Sequence, residues 1–235
     1  MRKILKPGVF LAFIKICSIM SNGFYGDVQI GVFMREQNQK IDYHEIIECI
    51  TCALDAKDPY TAGHSKRVSD MALVICQLIG LKEEDIEKIH IAAHLHDIGK
   101  IGVPDAVLNK TTRLDDKEWE QMKKHPAIGA DILSKSQHLS ELKNIVLCHH
   151  ERFDGTGYPL GLKGEKIPVG ARIIAICDSI DAMTSNRSYR QAHDFDFCYH
   201  EIEKNLNKMY DPVIGRYVLA HWDEVTSPVR HPQSA

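Results

Sequence analysis

The sequence predicts an all-α protein, with one compact domain over about residues 41–224. Three observations lead there. Past residue 41, apolar residues recur at three- and four-residue spacing in segment after segment. Glycine, proline and aspartate punctuate those segments where helices start and stop. Alternating apolar and polar runs, the mark of a half-buried strand, are scarce.

Residues 1–40 read as an N-terminal arm or linker. Arg2, Lys3 and Lys6 precede an apolar run, Val9 to Met20, that Lys15 interrupts. The run is too short to span a bilayer, and no small-x-small cleavage site follows it, so no membrane contact is expected. Gly23, Gly26 and Gly31 mark a poorly structured stretch.

In the next segment Ile46, Ile47, Ile50, Ala53 and Leu54 keep helical spacing, and Asp58-Pro59 closes it. A second helix is expected from about Thr61 to Ile79, with His64 in its first turn and Gly80 as its stop. A third, about Glu83 to Gly99, carries Ile86, Ile89, His90 and Ala93 and ends on His96-Asp97. Ile101 to Arg113 reads as loop. Asp115 with Glu118 forms a helix-opening box. Pro126 opens the next helix, just after His125. Leu139 to His150 is expected to be helical. Glu151 to Gly170 is turn chemistry, with Asp154-Gly155, Gly157 and Tyr158-Pro159. Ala171 to Thr184 is an apolar helix holding Asp178 and Asp181. Asp194 caps a helix to about Asn207, and Asp211-Pro212 opens a last one ending near Trp222. Residues 225–235 read as a flexible tail.

Composition excludes some classes. An apolar fraction of 44% and a charged fraction of 26% are ordinary for a globular protein. A net charge of -3 supplies no basic field for a nucleic acid polymer. The seven cysteines form no disulfide framework, which suits a reducing, cytoplasmic setting. Cys49 and Cys52 read C-x-x-C but lie in an amphipathic helix with no second pair, so a packing role is expected.

Thirteen histidines invite a search for a metal site. His64, His96, Asp97, His125, His149, His150 and Asp178 each fall inside or at the end of an expected helix. Imidazole and carboxylate without thiolate suit iron, manganese or zinc. The set exceeds what one ion uses, so two metals bridged by Asp97 are expected. Two such ions can share a hydroxide that is nucleophilic at neutral pH. Asp97 and Lys100, three apart, share a face, so the ammonium is placed to meet a phosphate. Asp181, three on from Asp178, is placed either to hold a ligand in position or to serve as a cap or salt-bridge partner. His44, His90, His138, His193, His200, His221 and His231 are assigned to packing or surface. His94 is expected to point away from the His96 side.

The run His96-Asp97-Ile98-Gly99-Lys100, followed by His149-His150-Glu151-Arg152-Phe153-Asp154-Gly155-Thr156-Gly157-Tyr158-Pro159, resembles the HD-GYP family, a branch of the HD phosphohydrolase superfamily. The resemblance covers about residues 45–222 and extends to Ile101-Gly102-Val103-Pro104-Asp105, Ala171-Arg172 and Arg187-Ser188-Tyr189-Arg190. It implies a single HD-superfamily helical domain behind a short arm. It implies a phosphodiesterase that opens cyclic di-GMP to linear pGpG and in some members on to GMP, with two divalent ions, iron or manganese. Cyclic GMP-AMP is the substrate of some members.

By position, the resemblance gives metal ligation to the same seven residues. It gives phosphate contact to Lys100, Arg187 and Arg190, and the wall of the site and partner recognition to Gly157, Tyr158 and Pro159. It implies a mechanism in which a metal-bridging hydroxide would attack phosphorus while Lys100 and the metals would stabilise the developing charge. Asp154 is expected to orient a histidine ligand. Members with a third metal carry glutamate where this chain has Tyr60, so two ions and pGpG as main product are expected. The competing reading is a non-catalytic module that binds a cyclic dinucleotide or docks a partner such as a GGDEF-type signalling protein. A homodimer is compatible with either.

Overall fold

The structure is a computed structural model that describes residues 43–58, 63–186 and 191–231. The expectations for the arm 1–40, for Tyr60 and for Arg187 and Arg190 lie outside the described residues. Among the described residues the fold is all-helical, with one isolated bridge between Leu206 and Tyr210. No helix among them is long and apolar enough to cross a membrane.

The first helix, α1 (Tyr43–Lys57), buries Ile47 and Leu54, seven apart on one stripe. α2 (His64–Leu78) starts after Gly63, whose left-handed backbone (φ 69°) turns the chain into the helix. It buries Val68, Met71, Ala72, Ile75 and Cys76 and lies at the centre of the fold. α3 (Glu83–Leu95) packs on one side of α2, and the long apolar α8 (Val169–Thr184) on another. Their facing side chains, Ile89, Ala92, Ala93, Ile173, Ile176, Cys177 and Ile180, form one continuous core with α2.

The smaller elements surround this centre. α4 (Asp105–Leu108) precedes α5 (Asp116–Met122), which opens with the expected capping box: Asp115 accepts from the Glu118 N–H, and Glu118 from the Asp115 N–H. α6 (His125–Ser134) and α7 (Lys143–Leu147) pack together and against the His-Asp region. α9 (Phe195–Lys204) is capped by Asp194, and α10 (Pro212–Ala220) by Asp211. α11 (Trp222–Arg230) returns along α2.

Four expectations need correction. The third helix ends at Leu95, and Ile98–Gly102 is a 3-10 turn, so His96 and Asp97 leave the helix rather than extend it. The stretch 101–113 contains α4, which Pro104 precedes. Leu139 to His150 is a 3-10 turn (Ser140–Leu142), α7 and a tight turn bearing the two histidines. The tail from 225 is helical to Arg230, because Val225 and Thr226 are buried in the core despite Pro228.

Candidate metal centre

The centre is assembled from helix ends. His64 is the first residue of α2, His96 and Asp97 follow the last turn of α3, and His125 opens α6. His149 and His150 follow α7, and Asp178 and Asp181 lie in α8. This placement has a chemical result. At a helix end the i−3 carbonyl is available to a side chain. His96 Nδ1 donates to the Ala93 carbonyl at 2.7 Å, His125 Nδ1 to that of Met122 at 2.8 Å, and His149 Nδ1 to that of Val146 at 2.6 Å. His64 Nδ1 donates instead to Asp181 Oδ2 at 2.7 Å. A carbonyl or an ionised carboxylate can only accept, so each of the four rings carries a proton on Nδ1, and in the neutral ring Nε2 is turned inward as a lone pair.

The four Nε2 atoms face one another. His64 and His96 are 3.2 Å apart, and His125 and His149 are 3.3 Å apart. His150 Nε2 joins at 3.2 Å from His125 Nε2. Lone pairs at such distances repel unless a cation lies among them, and this donor set fits divalent metal.

Asp97 stands between the pairs. Its Oδ1 is 3.3 Å from His125 Nε2 and 4.0 Å from His149 Nε2. Its Oδ2 is 3.4 Å from His96 Nε2 and 3.7 Å from His64 Nε2. Asp178 Oδ1 lies 3.5 Å from His64 Nε2, on the Oδ2 side. Two groups able to hold a metal result: Asp97, His125, His149 and His150; and His64, His96 and Asp178. All seven expected ligands are thus brought together.

The electrostatics match. Burial alone would raise the Asp97 carboxyl, but the Lys100 ammonium and the ring of histidines hold it well below the usual carboxylate range. Burial likewise opposes a charged Asp178, and His64, His96 and His150 overcome it. Burial and the neighbouring imidazoles push His149 well down and His150 down to about 4, keeping both neutral as metal ligation requires. Burial would lower Lys100, but Asp97, at 2.7 Å from its Nζ, and Asp58, at 3.6 Å, raise it and keep it charged.

The remaining expected residues divide. Asp181 holds His64 and also accepts from Arg67, a partner the sequence did not single out. Asp154 bonds within its own loop and not to a histidine. Its Oδ1 accepts from the Thr156 N–H and hydroxyl, and Arg152 lies 3.6 Å away, so it braces its own loop. Tyr158 stacks on His150, with ring centroids 4.9 Å apart, and Trp119 meets Tyr158 edge-on at 6.0 Å. Gly157 touches the backbone of Glu151 and Arg152 so closely that a Cβ could not fit. Gly99 is pressed in the same way onto the His125 carbonyl, fixing the distance between two ligand-bearing segments.

Two features lay outside the sequence reading. Glu151 is buried and accepts three backbone N–H groups, from Leu160, Gly161 and Leu162. His44 and His90, assigned to packing or surface, converge with His94, expected to point away from the His96 side, in a cluster of their own. Among residues lining a cavity of about 870 Å³ are His64, Asp97, Lys100, His125, His150 and Asp178 at its floor and Lys110, Arg113, Trp119 and Tyr158 on its walls. That volume is of the size that takes a ligand of several rings.

An all-helical domain that gathers imidazoles around one central aspartate has the donor set of a histidine–aspartate domain that could hold divalent metal. Residues 48–214 match the family described as HD domain; the chain belongs to that family, and its ordered motifs are those of the HD-GYP branch. It is 39% identical over 188 residues to a cyclic di-GMP phosphodiesterase of Thermotoga maritima, covering 79% of this chain and 51% of the relative. It is 41% identical over 170 residues to a 3'3'-cGAMP-specific phosphodiesterase of Vibrio cholerae, covering 71% of this chain and 37% of the relative. The chain therefore spans about half or less of the length of these relatives. The HD domain of the L. monocytogenes phosphodiesterase PgpH, solved with cyclic-di-AMP, shares the fold, with a TM-score of 0.54 at 19% identity, covering 79% of this chain and 99% of that one.

Proposed function

We propose that the domain, from about residue 41 through α11, is a phosphodiesterase that hydrolyses cyclic di-GMP to linear pGpG, using two divalent ions, iron or manganese, in a cytoplasmic setting. The observation that carries this reading is the division of Asp97 between two imidazole pairs at the floor of the cavity. The names of the relatives support the substrate class, with the mixed cyclic dinucleotide as the alternative.

When bound, such ions supply a nucleophile from water at neutral pH and neutralise charge on phosphoryl oxygens. The chain's own groups do the rest. The histidine Nδ1 bonds fix the tautomers, so the lone pairs point inward before any ion arrives. Lys100 keeps its proton and offers a positive charge beside Asp97, where a phosphoryl oxygen develops negative charge. Trp119 and Tyr158 present ring faces and edges to a purine on the cavity wall. The resemblance assigns phosphate contact to Arg187 and Arg190 as well, which lie outside the described residues. The glutamate of three-metal relatives is replaced by Tyr60, which favours two ions and a single cleavage.

The test is anaerobic reconstitution with ferrous iron or manganese, followed by separation of products from cyclic di-GMP. The expected result is pGpG with two metals per chain. Binding without product would assign the domain as a receptor instead.

A further inference from the structure

Beyond the candidate centre, one side-chain cluster has the chemistry of a metal site. His90 and His94 are four apart in α3 and share a face, the spacing by which helices present two imidazoles to one ion. His44 of α1 closes the triangle. Ring centroids are 5.4 Å apart for His44 and His90, 5.0 Å for His44 and His94, and 4.8 Å for His90 and His94. Each residue offers a ring nitrogen, and these lie within 4.8 Å of one another.

Ser69 of α2 fixes two of the tautomers. Its hydroxyl donates to the Lys66 carbonyl at 2.8 Å, so its oxygen must accept from His94 Nε2, at 2.9 Å. His94 then carries its proton on Nε2, and Nδ1 is a bare lone pair. That ring is 1% exposed, and Nδ1 has no hydrogen-bond partner. A buried acceptor left without a donor is destabilising, and such atoms call for an explanation. His90 Nδ1 donates to the Ser69 carbonyl at 3.2 Å, which leaves its Nε2 bare, 3.2 Å from His44 Nε2. Glu48 Oε1 stands 3.7 Å from the other nitrogen of His44, on the side from which a carboxylate orients a ligating imidazole.

We propose that His44, His90 and His94 hold a separate zinc ion that pins α1 to α3. Three neutral imidazoles without thiolate suit Zn2+ with a fourth position left to water. His44 is half exposed and gives the ion an entry path. Ser69 acts as the positioning residue for both helix-borne ligands.

The probe is Zn2+ alone, counted per chain after gel filtration, on wild type, His44→Ala, His90→Ala and His149→Ala, with circular dichroism to confirm folding. The expected result is one zinc fewer per chain in His44→Ala and His90→Ala than in wild type, and retention of that zinc in His149→Ala. His44→Ala changes a half-exposed side chain, so it keeps the test valid if His90→Ala fails to fold. Equal zinc in wild type and His44→Ala overturns the proposal, as does a loss confined to His149→Ala. The count does not depend on turnover of any substrate.

Discussion

Glu151 Oε1 accepts the backbone N–H of Leu160 at 2.6 Å, and the same carboxylate takes the next two N–H groups, of Gly161 and Leu162. One buried acid thus ties the start of the signature loop to its far end and sets where Tyr158 stands. Glu151→Ala leaves three donors without their acceptor. The expected cost is about 3 kcal/mol, read as a lower urea midpoint, together with a raised KM. An unchanged midpoint would mean that the loop holds its shape without this carboxylate.

Asp181→Asn keeps the shape next to His64 but removes the charge that holds its Nδ1 proton. Metal affinity should fall by about tenfold to a hundredfold. Rate at saturating metal should stay near wild type. Competition with a chromogenic chelator measures the first and steady-state kinetics the second.

Metals that bind only the folded chain stabilise it by mass action, by about 4 kcal/mol at a thousand times Kd. Adding manganese to chelator-stripped protein should therefore raise Tm by several degrees. In Asp97→Ala the rise should shrink sharply, because both groups lose the carboxylate between them. A full shift in that variant would remove Asp97 from the site.

Acid should destabilise the metal-free protein. Burial, and then the His125 charge, bring His150 down to about 4 from an ordinary value of 6.5; His149 and His125 also move down. A group depressed in the folded state contributes stability that is fully present above 6.5 and is lost as pH falls towards its folded value. His64 moves the other way: burial lowers it, but the bond to Asp181 and nearby carboxylates more than offset this. Its contribution is present below 6.5 and is lost as pH rises through its folded value, a partial offset to the others. Net, Tm of the stripped protein should fall between pH 6.5 and 4. A flat Tm over that range would contradict the depressed imidazoles.

Trp119 is 45% exposed and stands edge-on to Tyr158 at the cavity wall. Base stacking on an aromatic ring is worth about 1–3 kcal/mol. Trp119→Ala should raise KM for a cyclic dinucleotide about 5-fold to 100-fold, with kcat little changed. A drop in kcat alone would place the ring in the chemistry rather than in binding.

The parts of this fold legible in the sequence are those with local causes. The apolar stripe of α2, the capping box of α5 and the Asp194 cap follow from spacing along a few residues. The seven expected ligands were legible as residue types at the end or inside of helices. What the spacing could not show was the shared device, four Nδ1 bonds that aim four lone pairs, since it depends on where each helix stops. Glu151 stayed hidden because its partners are backbone N–H groups, which carry no side-chain signature. His44 met His90 only through the packing of α1 on α3, across 46 positions of chain. Residues 225–235 read as a flexible tail, yet Val225 and Thr226 are buried and α11 runs to Arg230.

Lys57, the last residue of α1, places its Nζ 3.3, 2.8 and 3.0 Å from the carbonyl oxygens of Lys100, Ile101 and Val103. The strip of backbone that carries Lys100 is thereby hooked to a helix more than forty positions upstream. A shift of that helix is carried to the floor of the cavity by the Lys57 ammonium as well as by the packing of α1 on α3.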